Sequence, residues 1–222
     1  WELSSLFEST KHQDNAINDG DSYPGVYSIR SSQSSLTPGI RDKGLVGYWT
    51  FDEGSGSYAY DYSGNNNTGT WYGTGSHYGV AKVGLHSGQF DGTSDYVGIS
   101  NSTSLNVNFP ITINMWIYVP VFTNFDKIIS KYPNWDFYFI TTGGNIGFYT
   151  SGENDNSTNL GLQINTWTNI AITYNGSSID FYKNGQYFMS KPEDTPISGS
   201  YNIAIARFSL SSGQFVEGNF DD

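Results

Sequence analysis

Two kinds of side chain in this sequence could do chemistry on a partner. The first is aromatic: Trp71-Tyr72 and Tyr78 lie in a Gly-rich stretch, and Trp135 follows Tyr132-Pro133-Asn134. Loop aromatics suit sugars, whose apolar C–H faces stack on a ring while neighbouring Asn and Asp take the hydroxyls. Trp71, Tyr72, Tyr78 and Trp135 are therefore the candidate ligand-binding residues, whereas Trp49, Trp116 and Trp167 sit in strand-like runs and read as structural. The second kind is oxygen donors gathered in turns. Asp61, Asn65 and Asn66 fall in one, Asp91 and Asp95 in another, and Asp221 and Asp222 at the end. Calcium takes roughly six to eight hard oxygens from such donors. Asp and Asn are also ordinary turn formers, because their side chains bond their own backbone.

Groups for covalent or acid–base work are sparse. His12, His77 and His86 have no acid or Ser at motif spacing and read as surface residues. Gly-x-Ser-x-Gly, a phosphate-cradling loop and His-x-x-x-His are all missing from the sequence. With no Cys, disulfides, thiolate zinc sites and Cys nucleophiles are excluded.

The elements that must hold these residues follow from composition. The 222 residues include 6 Trp, 17 Tyr, 14 Phe and 26 Gly, while charged residues make up only 14%. Such a chain forms sheets joined by turns, since aromatic side chains pack well on a pleated surface. The balance of 10 basic against 21 acidic residues gives −11, which disfavours nucleic acid and anionic membrane surfaces. The longest apolar run, Met115 to Phe122, is interrupted by Pro120 and is too short for a membrane span. Lacking an initiator Met and a signal-like start, a chain that opens on Trp1 reads as a fragment.

Residues 1–43 are polar and turn-rich and read as an N-terminal stem or linker segment. From Gly44 onward, strands alternate with turns. Leu45 to Phe51 is the first expected strand, and Asp91 to Asp95 is a turn between two more. Along Ile111 to Val119, Ile111, Ile113, Met115, Ile117 and Val119 share one face. Asn175-Gly176 and Asn184-Gly185 bracket short strands and predict a meander, because Asn-Gly suits tight hairpin turns. No helix longer than a turn is expected after residue 43.

The segments GLVGYWTFDEGSG (44–56), AYDYSGNNNTGTW (59–71), QFDGTSDYV (89–97), ITINMWIYV (111–119), TWTNIAITYNGSSIDFYKNGQ (166–186) and the closing GNFDD resemble the concanavalin A-like, laminin-G-like jelly-roll domain of bacterial extracellular proteins. The resemblance spans residues 44–222 and implies an all-β, two-sheet antiparallel jelly-roll sandwich with one concave face. It also implies a last strand after Asp221-Asp222, which this chain lacks. WELSSLFEST resembles the linker of prepilin-type proteins that carry a jelly-roll head. Related domains hold a structural calcium at a sheet edge, which singles out Asp61, Asp91, Asp95 and Asp221 as metal ligands. Jelly-roll glucanases carry Glu-x-Asp-x-x-Glu on one strand; this sequence has none, and Asp180 is a lone strand acid expected to face outward.

These features predict a non-enzyme: an extracellular, surface-displayed binding or adhesion domain for a glycan or protein ligand, with calcium as a structural cofactor. The alternatives are a structural pilin-type filament subunit, partnered by other pilin-type subunits, and a polysaccharide-active enzyme or its accessory module.

Overall fold

The computed structural model describes residues 44–107, 110–140, 143–150, 156–193, 199–209 and 213–222. The stem or linker expected over residues 1–43, and His12 with it, lies outside them. In chain order the strands are β1 (Tyr58–Ala59), β2 (Gly69–Tyr72), β3 (Tyr78–Gly79), β4 (Ser87–Asp91) and β5 (Tyr96–Ile99). Then come β6 (Ile111–Tyr118), β7 (Lys127–Lys131), β8 (Trp135–Phe139), β9 (Asn145–Thr150) and β10 (Asn156–Asn159). The last five are β11 (Thr168–Tyr174), β12 (Ser178–Lys183), β13 (Gln186–Pro192), β14 (Ile203–Ile205) and β15 (Glu217–Asp221). The longest helical element among the described residues is a 3-10 turn, Thr103–Leu105, and no helix among them is long and apolar enough to cross a membrane.

The strands form two antiparallel sheets, as the sequence predicts. One has eight strands in the order β1-β2-β5-β14-β7-β8-β9-β10, the other seven in the order β13-β12-β11-β6-β15-β4-β3. Period-two patterning sets the facing. In β11, Thr168, Ile170, Ile172 and Tyr174 are buried and the residues between them are not. Its register places Ile172 opposite Ile113 and Thr168 opposite Ile117 of β6, so the buried faces of the two strands coincide. Phe90, Phe137, Phe148, Phe181 and Phe220 meet with these in a single core. Each such ring contributes about 1.5–3 kcal/mol by leaving water.

The meander is β11-β12-β13, but its two turns differ. Asn184 and Gly185 both have positive φ, 50° and 73°, as a tight two-residue turn requires. In the other, only Gly176 does, and Asn175 Oδ1 accepts from the N–H groups of Ser177 and Ser178.

One expectation about the strands is corrected. Leu45 to Phe51 joins no sheet ladder among the described residues. It is tied mainly by side chains: Asn65 Nδ2 donates to Leu45 O and Asn67 Nδ2 to Val46 O, while Asp61 Oδ1 accepts from Tyr48 N and a single backbone bond runs from Tyr62 N to Tyr48 O. The closing strand, Glu217–Asp221, pairs with β4 on one side and β6 on the other. β7 and β8 are buried at every position, because the segment after β14 lies across their outward face. There the Tyr132 ring packs edge-on against Phe208 at 4.8 Å, and Ser209 Oγ lies 3.1 Å from Ser130 Oγ.

Candidate functional site

β2, β5 and β14 are neighbours, and one face of each is committed to the core: Trp71 from β2, Val97 and Ile99 from β5, Ile203 and Ile205 from β14. Alternation therefore turns Thr70, Tyr72, Tyr96, Gly98 and Ala204 to the other side. Register lines them up in two rows. Thr70 opposes Gly98, which opposes Ala204, and Tyr72 opposes Tyr96. The two tyrosine rings stack with centroids 4.6 Å apart and planes 6° from parallel.

Gly98 is the floor beside this stack. A Cβ there would lie 3.0 Å from Tyr72 Cε2 and 3.5 Å from Tyr96 Cε2, so the missing side chain is what lets the two rings lie this close to the strand. Beside them is a hollow of about 300 Å³ whose wall also includes Ser100, Asn202, Arg207 and Ser209. Asn202 is held by its Oδ1, which accepts from Asn101 N at 2.9 Å. Ser209 Oγ accepts from Tyr132 N at 3.0 Å.

Arg207 is delivered by a backbone irregularity. Ala206, fully buried, has φ 63°, a left-handed conformation costing about 1–2 kcal/mol in an L-residue. Ala206 N donates to Ile128 O, and Ala206 O accepts from Val216 N. These two bonds hold the turn, and the Arg207 guanidinium carbon then lies 4.3 Å over the Tyr96 ring and 5.7 Å from Phe215.

A second, wider hollow of about 630 Å³ includes Asp91, Thr93, Asp126, Phe215 and Glu217 in its wall. Burial pushes the Asp126 carboxyl up to about 6, against the opposing pull of Lys127. Thr123 Oγ1 donates to it.

Of the four expected ligand-binding aromatics, three are placed otherwise than loop rings would be. Trp71 lies in β2 and is 5% exposed. It packs on Phe90 at 5.0 Å and stacks on His77 at 4.7 Å, and its Nε1 donates to Tyr78 Oη. Trp135 lies in β8, is 4% exposed, and stacks on Phe148. Tyr78 is partly buried against the core, and its hydroxyl donates to Tyr58 O. Burial and the nearby Glu53 push its phenol up to about 12. Only Tyr72, 47% exposed, offers its ring to solvent. Tyr96, Asn202 and Arg207 are additions. The period-two pattern around Trp71 and Val97 was the signal for the tyrosines, but strand pairing, not spacing, brings them together.

The four expected metal ligands do not form one shell. Asp61 accepts from Tyr48 N, Ser63 N, Ser63 Oγ and Asn67 N. Asp91 accepts from the backbone N–H of Thr93, Ser94 and Asp95; burial raises its carboxyl, but these bonds prevail and hold it well below the usual range. Asp95 accepts from Thr74 N and lies 3.8 Å from His77 Nδ1, so His77 does have an acid partner, one distant in sequence. Asp221 accepts from Lys82 N and Val83 N. Turn and loop bonding thus occupies each carboxylate, and no group of three His, Asp or Glu among the described residues is placed to hold a metal ion.

Residues 91–222 match the family described as the Concanavalin A-like lectin/glucanases superfamily. No curated protein matches the chain. Among solved structures, domain 4 of an extracellular arabinanase from Geobacillus stearothermophilus, in complex with arabinotriose, superposes with TM-score 0.64 at 19% identity, over 80% of this chain and 89% of that one. The binding domain of a paraclostridial mosquitocidal protein gives 0.59 at 16% identity, over 80% of this chain and 47% of that one. The receptor binding domain of botulinum neurotoxin D gives 0.53 at 13%, over 78% and 48%. The chain thus spans about half the length of the two toxin domains, and all three likenesses concern the fold.

Proposed function

The chain belongs to the concanavalin A-like lectin/glucanases superfamily, and from that premise we propose that it is an extracellular glycan-binding module whose site is the hollow beside Tyr72 and Tyr96. The observation that carries this reading is the pair of stacked tyrosines standing over the Gly98 floor. A pyranose or furanose ring presents an apolar face to such aromatics, and Thr70, Ser100, Asn202 and Ser209 supply hydroxyl and amide partners around it. About 300 Å³ is at the small end of ligand sites and suits one or two sugar rings. Displayed outside a cell, the module would serve adhesion to a glycan or a glycosylated partner.

Binding is favoured over hydrolysis by the lining. Glycosidases place two carboxylates about 5–9.5 Å apart across the scissile bond, and the described wall of this hollow carries none. Short oligosaccharides, arabinotriose among them, are the first ligands to test. Binding to immobilised glycans should be retained by the parent chain and lost in Tyr72→Ala, with the melting temperature lowered by no more than a few degrees. A Tyr72→Ala protein that binds as well as the parent would refute the assignment.

A further inference from the structure

We infer that this site takes a linear glycan longer than the hollow itself, whose further rings cross β2 and rest on Tyr58 and Tyr60 at the sheet edge. The inference rests on the reading of the hollow as a glycan site and adds the class of glycan, an extended chain rather than a terminal sugar.

The first support is register. The row that floors the hollow continues in both directions: Ser130 opposes Ala204, and Thr70, which opposes Gly98, is itself opposed by Tyr58 of β1. Directly opposed residues of antiparallel strands share a face, so all five lie on the outward side. Ala59 confirms the facing, since it is fully buried and opposes buried Gly69. Burial falls along the row. Ser130 is fully buried and Ala204 nearly so, Gly98 and Thr70 are half-buried, and Tyr58 is 51% exposed. The segment after β14, through Phe208 and Ser209, covers the β7 end. Across the strands, a glycan too long for the hollow therefore continues over Thr70 towards β1.

The second support is the chemistry at that end. Tyr58 and Tyr60 are each about half exposed, with ring centroids 6.2 Å apart and planes 37° from parallel. Neither belongs to the core. Their backbones are fixed, because Tyr60 N donates to Glu53 Oε1 at 2.9 Å and Tyr58 O accepts from the Tyr78 hydroxyl. Rings carried on a fixed backbone cost a ligand less ordering. β1 stands two strand spacings from β5, roughly 10 Å. A single sugar seated at Gly98 does not reach that far, whereas a chain crossing the strands does. Tyr58, Thr70, Gly98 and Ala204 carry no charge, and Thr70 offers a hydroxyl between the two platforms.

The test is calorimetry on the full 222-residue chain with linear oligosaccharides of arabinose, xylose, glucose, mannose and galactose, each a series from one to about six rings. Expected is an affinity that climbs with length in the series that binds. The step should be roughly fivefold, the order of one aromatic contact, once the glycan outgrows the hollow. Tyr58→Ala should remove that step, so that the longest member binds no better than the disaccharide, and Tyr60→Ala should reduce it. Tyr58→Phe should retain it, because the ring and not the hydroxyl makes the contact. Tyr72→Ala should weaken every member. Affinity that stops rising at two rings, or a rise that survives both Tyr58→Ala and Tyr60→Ala, overturns the extension; dependence on Tyr72 would then leave the hollow as a site for short glycans. Binding indifferent to Tyr72→Ala, or failure of every series to bind, removes the site and the extension together. Should Tyr58→Ala fail to fold, Tyr60→Ala and the length series on the parent chain still decide.

Discussion

Lys127 Nζ lies 3.6 Å from Asp136 Oδ2, and both side chains are almost wholly buried although they project from the outward face of their sheet. The ammonium also lies 4.0 Å over the Tyr138 ring, and Ser130 Oγ donates to the other Asp136 oxygen at 2.5 Å. This polar cluster fastens the segment after β14, and with it Arg207, to the sheet. Removing one partner of a buried pair leaves the other charge less well compensated, so Asp136→Ala should cost about 3 kcal/mol. Asp136→Asn keeps an acceptor for Ser130 and should cost less. Urea unfolding of the three proteins checks the order; equal stability of parent and Asp136→Ala would contradict it.

Trp71 and Tyr72 are adjacent in sequence and opposite in consequence. Trp71→Ala empties a core position and should cost about 3–5 kcal/mol. Tyr72→Ala removes a half-exposed ring and one stacking partner, about 0.5–1.5 kcal/mol, yet should abolish glycan retention. Thermal melts beside a binding assay separate the two.

Gly98 offers a gain-of-bulk test. Gly98→Ala should shift the Tyr72 ring by a few tenths of an ångström, since the new Cβ lies 3.0 Å from it, and should weaken binding by a few-fold. Gly98→Val should fill the floor and abolish binding while the fold persists, because Val is well suited to strands. Tight binding by Gly98→Val would show that the ligand sits elsewhere.

Stability should fall as pH rises from about 4 to 7. Burial pushes Asp221 and Asp126 up to about 6, above their unfolded values of roughly 3.9. A carboxyl that titrates higher when folded favours folding in its neutral form, so its contribution is complete below the unfolded value and is lost as pH passes the folded one. Asp91 has the opposite sign: its lowered carboxyl stabilises above about 4 and loses that contribution on further acidification. Maximal stability should therefore lie near pH 4–5. Asp221→Asn, which still accepts from Lys82 N or Val83 N, should flatten the decline towards pH 7 in a series of melts.

Calcium can be tested by melting with and without a chelator. A shell built on Asp61 or Asp91 would have to give up existing hydrogen bonds, so melting should be unchanged within about a degree. A fall of several degrees on chelation, reflecting loss of a ligand bound to the native state, would show that a shell assembles from other donors.

The sequence by itself determined the class of fold and much of its facing. Aromatic and β-branched residues at alternate positions can bury only one side of a strand, so Ile113 and Ile117 were legible as sharing one face before any pairing was known. Asn184-Gly185 was legible as a turn because few other pairs tolerate two positive φ values. What remained hidden depended on contacts between residues far apart in the chain. Trp71 read as a loop aromatic because its neighbours are glycines, and only the β2–β5 pairing shows that it faces inward and Tyr72 outward. Leu45 to Phe51 read as a strand because alternation reports facing, whereas a ladder also needs a partner at hydrogen-bonding distance. Asp61, Asp91, Asp95 and Asp221 are as consistent with turn formation as with metal binding until each oxygen's partner is known. Arg207 gave no signal at all: one cation among acids becomes part of a site only when a left-handed alanine sets it over a tyrosine on a neighbouring strand.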